Sequence, residues 1–380
     1  MRWPVTDSGS PRVNLPTDVP PRSRRSWPQI VMAIVLLLAA IVLARNFLMP
    51  VFLAFLLALT FSPIRRFLQR RGVAASVTAA GLVFGLFLVL GILILLLYEP
   101  VQNYATDSGR IAADVERKLR GISETIEKVA DAGEQVEELA SGEADPDVEE
   151  VVIKSPDMLT RLAASAPYLV AQSIFMLVLL FFITASGDLF YAKIVEASPT
   201  FRDKRRAIGI TRDIEKRISR YFLTISVVNA GLGASIGLTL WWLGMPNPLL
   251  FGVMAFALNF IPYLGALAGV AVTFAIGIVS FPTLGDALVV AAAYLALTTL
   301  EGQLITPYAI GRRLSLNPVI VFIAVAFWGW AWSVIGMFIA VPLLIVALVI
   351  SERVEGLEGL AIFLSGERLP EPSEEEREAT

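Results

Sequence analysis

The chain contains no cysteine and no histidine. Disulfides, thiol chemistry, haem ligation and the usual zinc sites are therefore excluded, and any proton relay has to run through carboxylates, lysine, tyrosine or water. Charge is scarce as well. Only 17% of the 380 residues are Asp, Glu, Lys or Arg, against about 25% in a typical soluble domain. The net charge of -3 gives no global attraction for nucleic acid. No G-x-x-x-x-G-K-[ST] phosphate loop occurs, so this chain by itself is not an ATP-driven pump. Convincing paired acids for a metal are missing too. No cofactor, metal ion or nucleic-acid partner is expected, and an intramembrane enzyme is the least favoured class.

What the sequence has instead is apolar length. Of its residues 56% are apolar, its mean hydropathy is +0.69, and several runs exceed the ~20 residues that cross a bilayer. The first, Trp27 to Leu59, is interrupted at Arg45-Asn46 and at Pro50 and is long enough for two spans in a tight hairpin. Val73–Tyr98, Ala164–Ala185 and Tyr221–Leu243 follow, and a further span from Gly285 to Thr306 carries Glu301. Residues 1–27, rich in Pro, Ser and Arg, read as a disordered tail rather than a signal peptide. The apolar stretch behind them is too long for a cleaved segment and lacks an A-x-A-like site.

Lys and Arg in short loops favour the cytoplasm. Arg22, Arg24 and Arg25, then Arg65, Arg66, Arg70 and Arg71, then the cluster from Lys204 to Arg220 can all lie there if the first two spans form a hairpin. The expectation is a multi-pass protein of a bacterial inner membrane with both termini cytoplasmic. Residues 99–163 then lie outside. From Asp107 to Asp157 there are fifteen acidic and six basic residues. Ile111, Val115, Leu119, Ile122, Ile126 and Val129 recur at helical spacing, and 141–150 reads as an acidic loop. This outer segment either packs on its neighbours or joins subunits through its apolar stripe.

After Leu243 the pattern changes. Gly244-Met245-Pro246-Asn247-Pro248 reads as an outer turn. Apolar residues then run from Leu249 to Leu258, are cut by Asn259-Phe260-Ile261-Pro262-Tyr263-Leu264-Gly265, and resume to Ser280. Each arm is short for a span. Pro262 frees a backbone carbonyl and Gly265 permits a bend, which predicts two half-helices meeting in the membrane or a short-armed hairpin entering from outside. Leu316-Asn317-Pro318 opens a second apolar run to Ile350, broken near Phe327-Trp328-Gly329-Trp330 and again at Gly336 and Pro342. Arg312 and Arg313 before it and Arg353 after it make this a hairpin entering from inside. Gly233 with Gly237 and Gly265 with Gly269 are small-xxx-small pairs suited to close helix approach.

The predicted fold is thus all-α, a polytopic membrane bundle of about six full spans plus two interrupted or re-entrant helical hairpins in the C-terminal half. Its segments are the tail 1–27, three spans in 28–98, the acidic outer segment 99–163, a fourth span in 164–187, a cytoplasmic helical linker 188–220, the hairpin-bearing region 221–350, and an acidic tail 351–380.

Transporters build midplane sites from discontinuous helices, so the hairpin tips are the candidate pathway. Glu301 comes first. A charge at a helix centre costs roughly 2.5–3.5 kcal/mol, so such a group lines a cavity or is paired. With Gln303 beside it, Glu301 can bind a cation, carry a coupling proton or accept hydrogen bonds from a hydroxylated solute; the structural alternative is pairing with a helix terminus or Arg312. Asn259, Pro262, Tyr263 and Gly265 form the outer tip, or simply bend the chain. Asn317 and Pro318 open the inner hairpin, where Asn317 is equally a helix cap. Trp328, with Trp330 and Trp332, lines the pathway or belongs to an interfacial belt. Asp286 reads as an N-capping residue, and Asn229 and Thr224 face the site from the fifth span.

The motifs Asn259 to Gly265, Glu301 with Thr306-Pro307 and Gly311, Leu316-Asn317-Pro318, Trp328-Gly329, Gly336-Met337 and Val341-Pro342-Leu343 resemble the autoinducer-2 exporter family, or PerM-like permeases. The resemblance covers roughly residues 28–355. It implies a secondary transporter, exporting a small polar signal such as autoinducer-2 or exchanging sodium or lithium for protons. It also implies a homo-oligomer, with a pentamer as one form, in which a site-bearing domain moves against a scaffold. A membrane scaffold without transport is the remaining alternative. The broken hairpins and the buried carboxylate speak against it.

Overall fold

The computed structural model describes residues 27–107, most of 109–120, 158–187, three positions between 188 and 200, 201–310 and 316–366. The N-terminal tail, the acidic loop 141–150, the apolar stripe from Leu119 onward, Arg312 and Arg313, and the tail beyond Gly366 lie outside the described residues.

Among the described residues all regular structure is helical. The helices are α1 (Trp27–Leu43), α2 (Arg45–Thr60), α3 (Ser62–Arg70), α4 (Ala75–Thr106), α5 (Met158–Ala185), α6 (Phe201–Trp242), α7 (Pro248–Leu258), α8 (Leu264–Ser280), α9 (Leu284–Leu300), α10 (Thr306–Ile310), α11 (Pro318–Arg353) and α12 (Glu358–Leu364). Helices α4, α5, α6, α11 and the continuous stretch Leu284–Ala309 are each long and apolar enough to cross a bilayer, and α1 with α2 meets the same condition as a pair. The chain is a multi-pass, all-α membrane bundle.

Local chemistry sets the helix ends. Pro63, Pro248 and Pro318 occupy first turns, where a missing N–H costs nothing. Gly244 ends α6 at φ 78, letting Met245 N–H reach back to the Leu240 carbonyl at 2.9 Å. At the start of α9, Thr283 rather than Asp286 is the N-cap. Its Oγ1 accepts from the Asp286 N–H at 3.2 Å and donates to the Asp286 carboxylate at 2.7 Å, a reciprocal capping arrangement.

Helix α6 organises the C-terminal half. Its glycine face lies against α7 so closely that a Cβ on Gly233 would fall 2.5 Å from the Gly252 carbonyl oxygen. Leu232, Ile236, Leu240, Phe251, Val290 and Tyr294 form the buried core there, and Tyr294 from α9 fills the space that Gly269 of α8 leaves open. Within lipid there is little hydrophobic drive between helices, so this close backbone approach supplies the association through van der Waals contact.

Two reversals mark this half. Leu258 and Gly265, seven residues apart, would lie about 10 Å apart in a straight helix. Instead a Cβ on Gly265 would collide with the Leu258 carbonyl, so α7 and α8 are the two arms of one hairpin. Helix α11 is not one rod either. Its backbone leaves helical geometry at Trp332 (φ -131, ψ 18) and Ser333 (φ 57, ψ -146). A Cβ on Gly329 would sit 2.7 Å from Met337 Cε, although residues eight apart in a straight helix are about 12 Å apart. The reversal therefore lies at Trp332–Ser333, not at the expected breaks near Trp328, Gly336 and Pro342. Gly329 and Gly336 are contact surfaces between the arms rather than hinges, and Pro342 is buried within a helix that continues past it.

The second hairpin is tied at its root to the charged end of α6. Arg217 grips Glu352 with two hydrogen bonds of 2.5 and 3.0 Å, Arg353 pairs with Asp213, and Arg206 Nε donates to the Arg353 carbonyl at 2.6 Å. On the other side, the Asn317 N–H donates to the Leu364 carbonyl of α12 at 3.0 Å.

A Gly252→Ala substitution should push α7 off α6, because its Cβ would fall 2.7 Å from the Gly233 carbonyl oxygen; overpacking of this kind costs about 1–3 kcal/mol. Gly231→Ala, on an open face of α6, meets nothing within 4 Å and should stabilise by about 0.5–1 kcal/mol. Thermal melting of the two purified variants in detergent checks both signs.

Candidate functional site

Helix α9 does not stop at Leu300. Glu301–Ile305 forms a single π-helical turn that runs into α10. Pro307 supplies the cause, since its ring carries no N–H and excludes the carbonyl four residues back, so the preceding turn widens to i→i+5 bonding. The wider turn stacks Thr306 over Glu301. Thr306 N–H bonds the Glu301 carbonyl, and the Thr306 hydroxyl donates to Glu301 Oε1. Gln303, two positions on, is exposed.

The other carboxylate oxygen is held by the first hairpin. Asn259, the residue that closes α7, donates from Nδ2 to Glu301 Oε2 at 3.1 Å and to Asn229 Oδ1 of α6 at 2.8 Å. Asn229 Nδ2 in turn donates to the Phe256 carbonyl at 3.4 Å. Asn229 is wholly buried and Glu301 is 5% exposed. No ion pair reaches Glu301 among the described residues. The result is one buried carboxylate ringed by two amides and a hydroxyl. It lies at the level of Asn229, about 20 Å along α6 from Trp242 at 1.5 Å per residue. Asn229 and Asn259 can turn carbonyl oxygens toward a cation or hydroxylated solute, and a carboxylate without a fixed cationic partner is the expensive group that such a ligand or a proton relieves.

Both hairpin tips carry strained backbone. Tyr263 has φ 64 and ψ -55, and the Leu264 N–H donates to the Pro262 carbonyl at 2.7 Å. That is a γ-turn of the rare, strained hand. Ser333 lies close to a region that glycine almost alone occupies. Aromatic rings join the hairpins. Phe260 of the first tip packs on Phe338 of the second hairpin with centroids 5.2 Å apart, Tyr263 on Phe322 at 6.4 Å, and Phe338 on Phe222 of α6 at 5.8 Å. At the second tip, Trp332 is buried between Trp328 and Phe52 of α2, at 4.9 and 5.5 Å.

A family model for AI-2E family transporters matches residues 30–356, which include both hairpins and the polar cluster. The chain belongs to the AI-2E transporter family. Among curated relatives, YhhT of Escherichia coli strain K12, provisionally named a transport protein, is 26% identical over 87% of this chain and 92% of its own length. A provisionally named transport protein of Borreliella burgdorferi is 28% identical over 56% of this chain, and the match spans 58% of that protein. The AI-2 transport protein TqsA of Escherichia coli strain K12 is 31% identical over 41% of this chain and 45% of its own length. Membership makes this chain a membrane transport protein.

Seen against this family frame, the residues singled out from sequence divide into groups. Glu301 and Asn259 meet directly. Pro262, Tyr263 and Gly265 shape the turn that follows Asn259, with Tyr263 itself 56% exposed. Asn317 spends its side chain as a helix cap, accepting from the Val319 N–H at 3.0 Å, with Pro318 in the first turn. Trp328 flanks the second tip, whose buried centre is Trp332. Asn229 and Thr306 complete the cluster although neither ranks among the leading sequence candidates. Thr306 is one turn on from Glu301, a proximity that only the π turn creates. Thr224 faces elsewhere, into a cavity at the charged end of α6.

Ser333→Gly should relieve the second tip and raise stability by about 1–3 kcal/mol, the usual cost of such a backbone state. Ser333→Val should do the reverse. Melting temperatures of the two purified variants decide it.

Proposed function

We propose that this protein is a secondary transporter that exports a small polar metabolite or signal across the bacterial inner membrane, with the cluster of Glu301, Asn259, Asn229 and Thr306 as its polar centre. The observation that carries this reading is the buried carboxylate, bonded among the described residues by neutral groups and held between α9 and the tip of the α7–α8 hairpin. Discontinuous helices around a polar centre are how membrane transporters create a site deep in the bilayer. A relative named for AI-2 transport favours a cargo of that kind. The amides and the carboxylate offer such a solute matched donors and acceptors.

On this reading the basic residues of α3 and the first half of α6 face the cytoplasm, together with both termini, in keeping with the positive-inside rule. The protein works as a homo-oligomer, the first hairpin moving against the second across the seam of Phe260, Phe338, Tyr263 and Phe322.

A second reading rests on the same carboxylate. An acid with hard oxygen donors around it and no cationic partner among the described residues suits a sodium ion or an exchangeable proton, which would make the protein a sodium/proton antiporter.

Glu301→Gln keeps the shape of the side chain but removes its charge and turns one of its two accepting oxygens into a donor. Inserted normally in proteoliposomes, this variant should lose transport by at least tenfold; undiminished transport would remove Glu301 from the mechanism. Efflux of autoinducer-2 without cation dependence favours the first reading, and a sodium-linked change of internal pH favours the second.

A further inference from the structure

A second polar feature lies far from the Glu301 cluster, where α6 passes from its charged half to its apolar half between Arg220 and Tyr221. There α3 and α6 enclose an open cavity of about 600 Å³. Arg66, Arg212, Lys216 and Arg220 line it, with Glu215 as the one carboxylate. Glu215 is buried and already engaged, its Oε2 lying 2.5 Å from Arg66 Nη2. Arg212, Lys216 and Arg220 make no ion pair among the described residues. Among the described residues, three positive charges therefore surround this space without an ion-pair partner. That differs from the rest of the basic end, where Arg217 and Arg353 are matched with Glu352 and Asp213.

The cavity is built as well as charged. Arg66 is fixed in place by Glu215, which occupies one guanidinium nitrogen and leaves others for a second acceptor. The buried Ser62 and Ser219 lie on its wall. Its other end is formed by Leu223 and Thr224, beyond the last charged residue of α6. A molecule filling it thus meets cations at one end and apolar span at the other. A volume of this size suits a ligand rather than a lone water, and arginine forks match the oxygens of a phosphate group.

We propose that this cavity binds a phosphate group, delivered either by an anionic phospholipid whose acyl chains lie along α6 or by a soluble phosphate. The cavity lies at the change from charged to apolar residues along α6, and basic pockets between membrane helices hold lipid headgroups. Because the bound phosphate bridges α3 and α6, occupancy braces the charged end of α6. The site is independent of the transport reading, since none of its residues belongs to the Glu301 cluster.

The test uses the full-length protein in detergent, titrated with phosphatidylglycerol, phosphatidylcholine or inorganic phosphate, and read by native mass spectrometry and melting temperature. Phosphatidylglycerol should be retained in preference to phosphatidylcholine and should raise the melting temperature. The triple variant Arg212→Gln, Lys216→Gln, Arg220→Gln should bind it roughly a hundredfold more weakly, given the contribution of each basic residue near an anionic headgroup, while Lys216→Arg keeps it. Equal protection by inorganic phosphate assigns the site to a soluble phosphate. All three substitutions fall on exposed side chains; should the triple variant nonetheless fail to accumulate, Lys216→Glu carries the same comparison. No preference for phosphatidylglycerol together with no effect of inorganic phosphate overturns the proposal, as does a triple variant that retains the preference.

Discussion

One constraint governs the C-terminal half of this protein, namely a carboxylate housed inside an apolar bundle with no cation beside it among the described residues. Glu301 is 5% exposed and, among the described residues, takes side-chain hydrogen bonds from Asn259 and Thr306. Each of those bonds requires an irregular backbone. The π turn raised by Pro307 brings Thr306 over the acid, and the close of α7 at Asn259 brings the amide to it. A regular bundle of straight spans has neither feature. The same constraint explains the glycines, because the amide of Asn229 reaches Asn259 only if α6 and α7 approach to backbone contact.

The two hairpins divide the energetic work differently. The first is held along its length by glycine packing against α6 and by Tyr294 seated on Gly269. The second is held at its root by ion pairs and at its tip by Trp332 among Trp328 and Phe52. Between them lie aromatic rings in tilted and edge contacts. Strained residues sit at both tips, Tyr263 and Ser333, where other conformations of the turn are closest in energy.

Much of this was legible in the sequence. Hydropathy gave the spans, and the Asn259–Gly265 interruption located the first tip to within a few residues. Glu301 stood out because an acid in an apolar run is costly. The second tip, expected near Phe327–Trp330, lies two residues further on, for a physical reason. Gly329, Gly336 and Pro342 look like breakers, yet the glycines serve packing across the arms, while the reversal is made by Trp332 and Ser333, where a lone serine is a weak turn signal next to glycine and proline. Thr306 escaped because periodicity of 3.6 puts it on another face, and only the local π register turns it toward Glu301. Asn317 was ambiguous between ligand and cap, and the cap took its side chain.

Helix α6 is a single unbroken element of 42 residues, about 63 Å long at 1.5 Å per residue. Its apolar half clasps one hairpin through Gly233 and Gly237, and its charged half is bolted to the root of the other through Arg217 and Asp213. A rod fastened to two parts at different points along its length behaves as a lever. Tilting it at the ion-pair end swings the Asn229 amide, and with it the hydrogen bond to Asn259, by an amount set by the ratio of the two arms. The ion pairs at the charged end and the amides around the buried carboxylate thus share one continuous element.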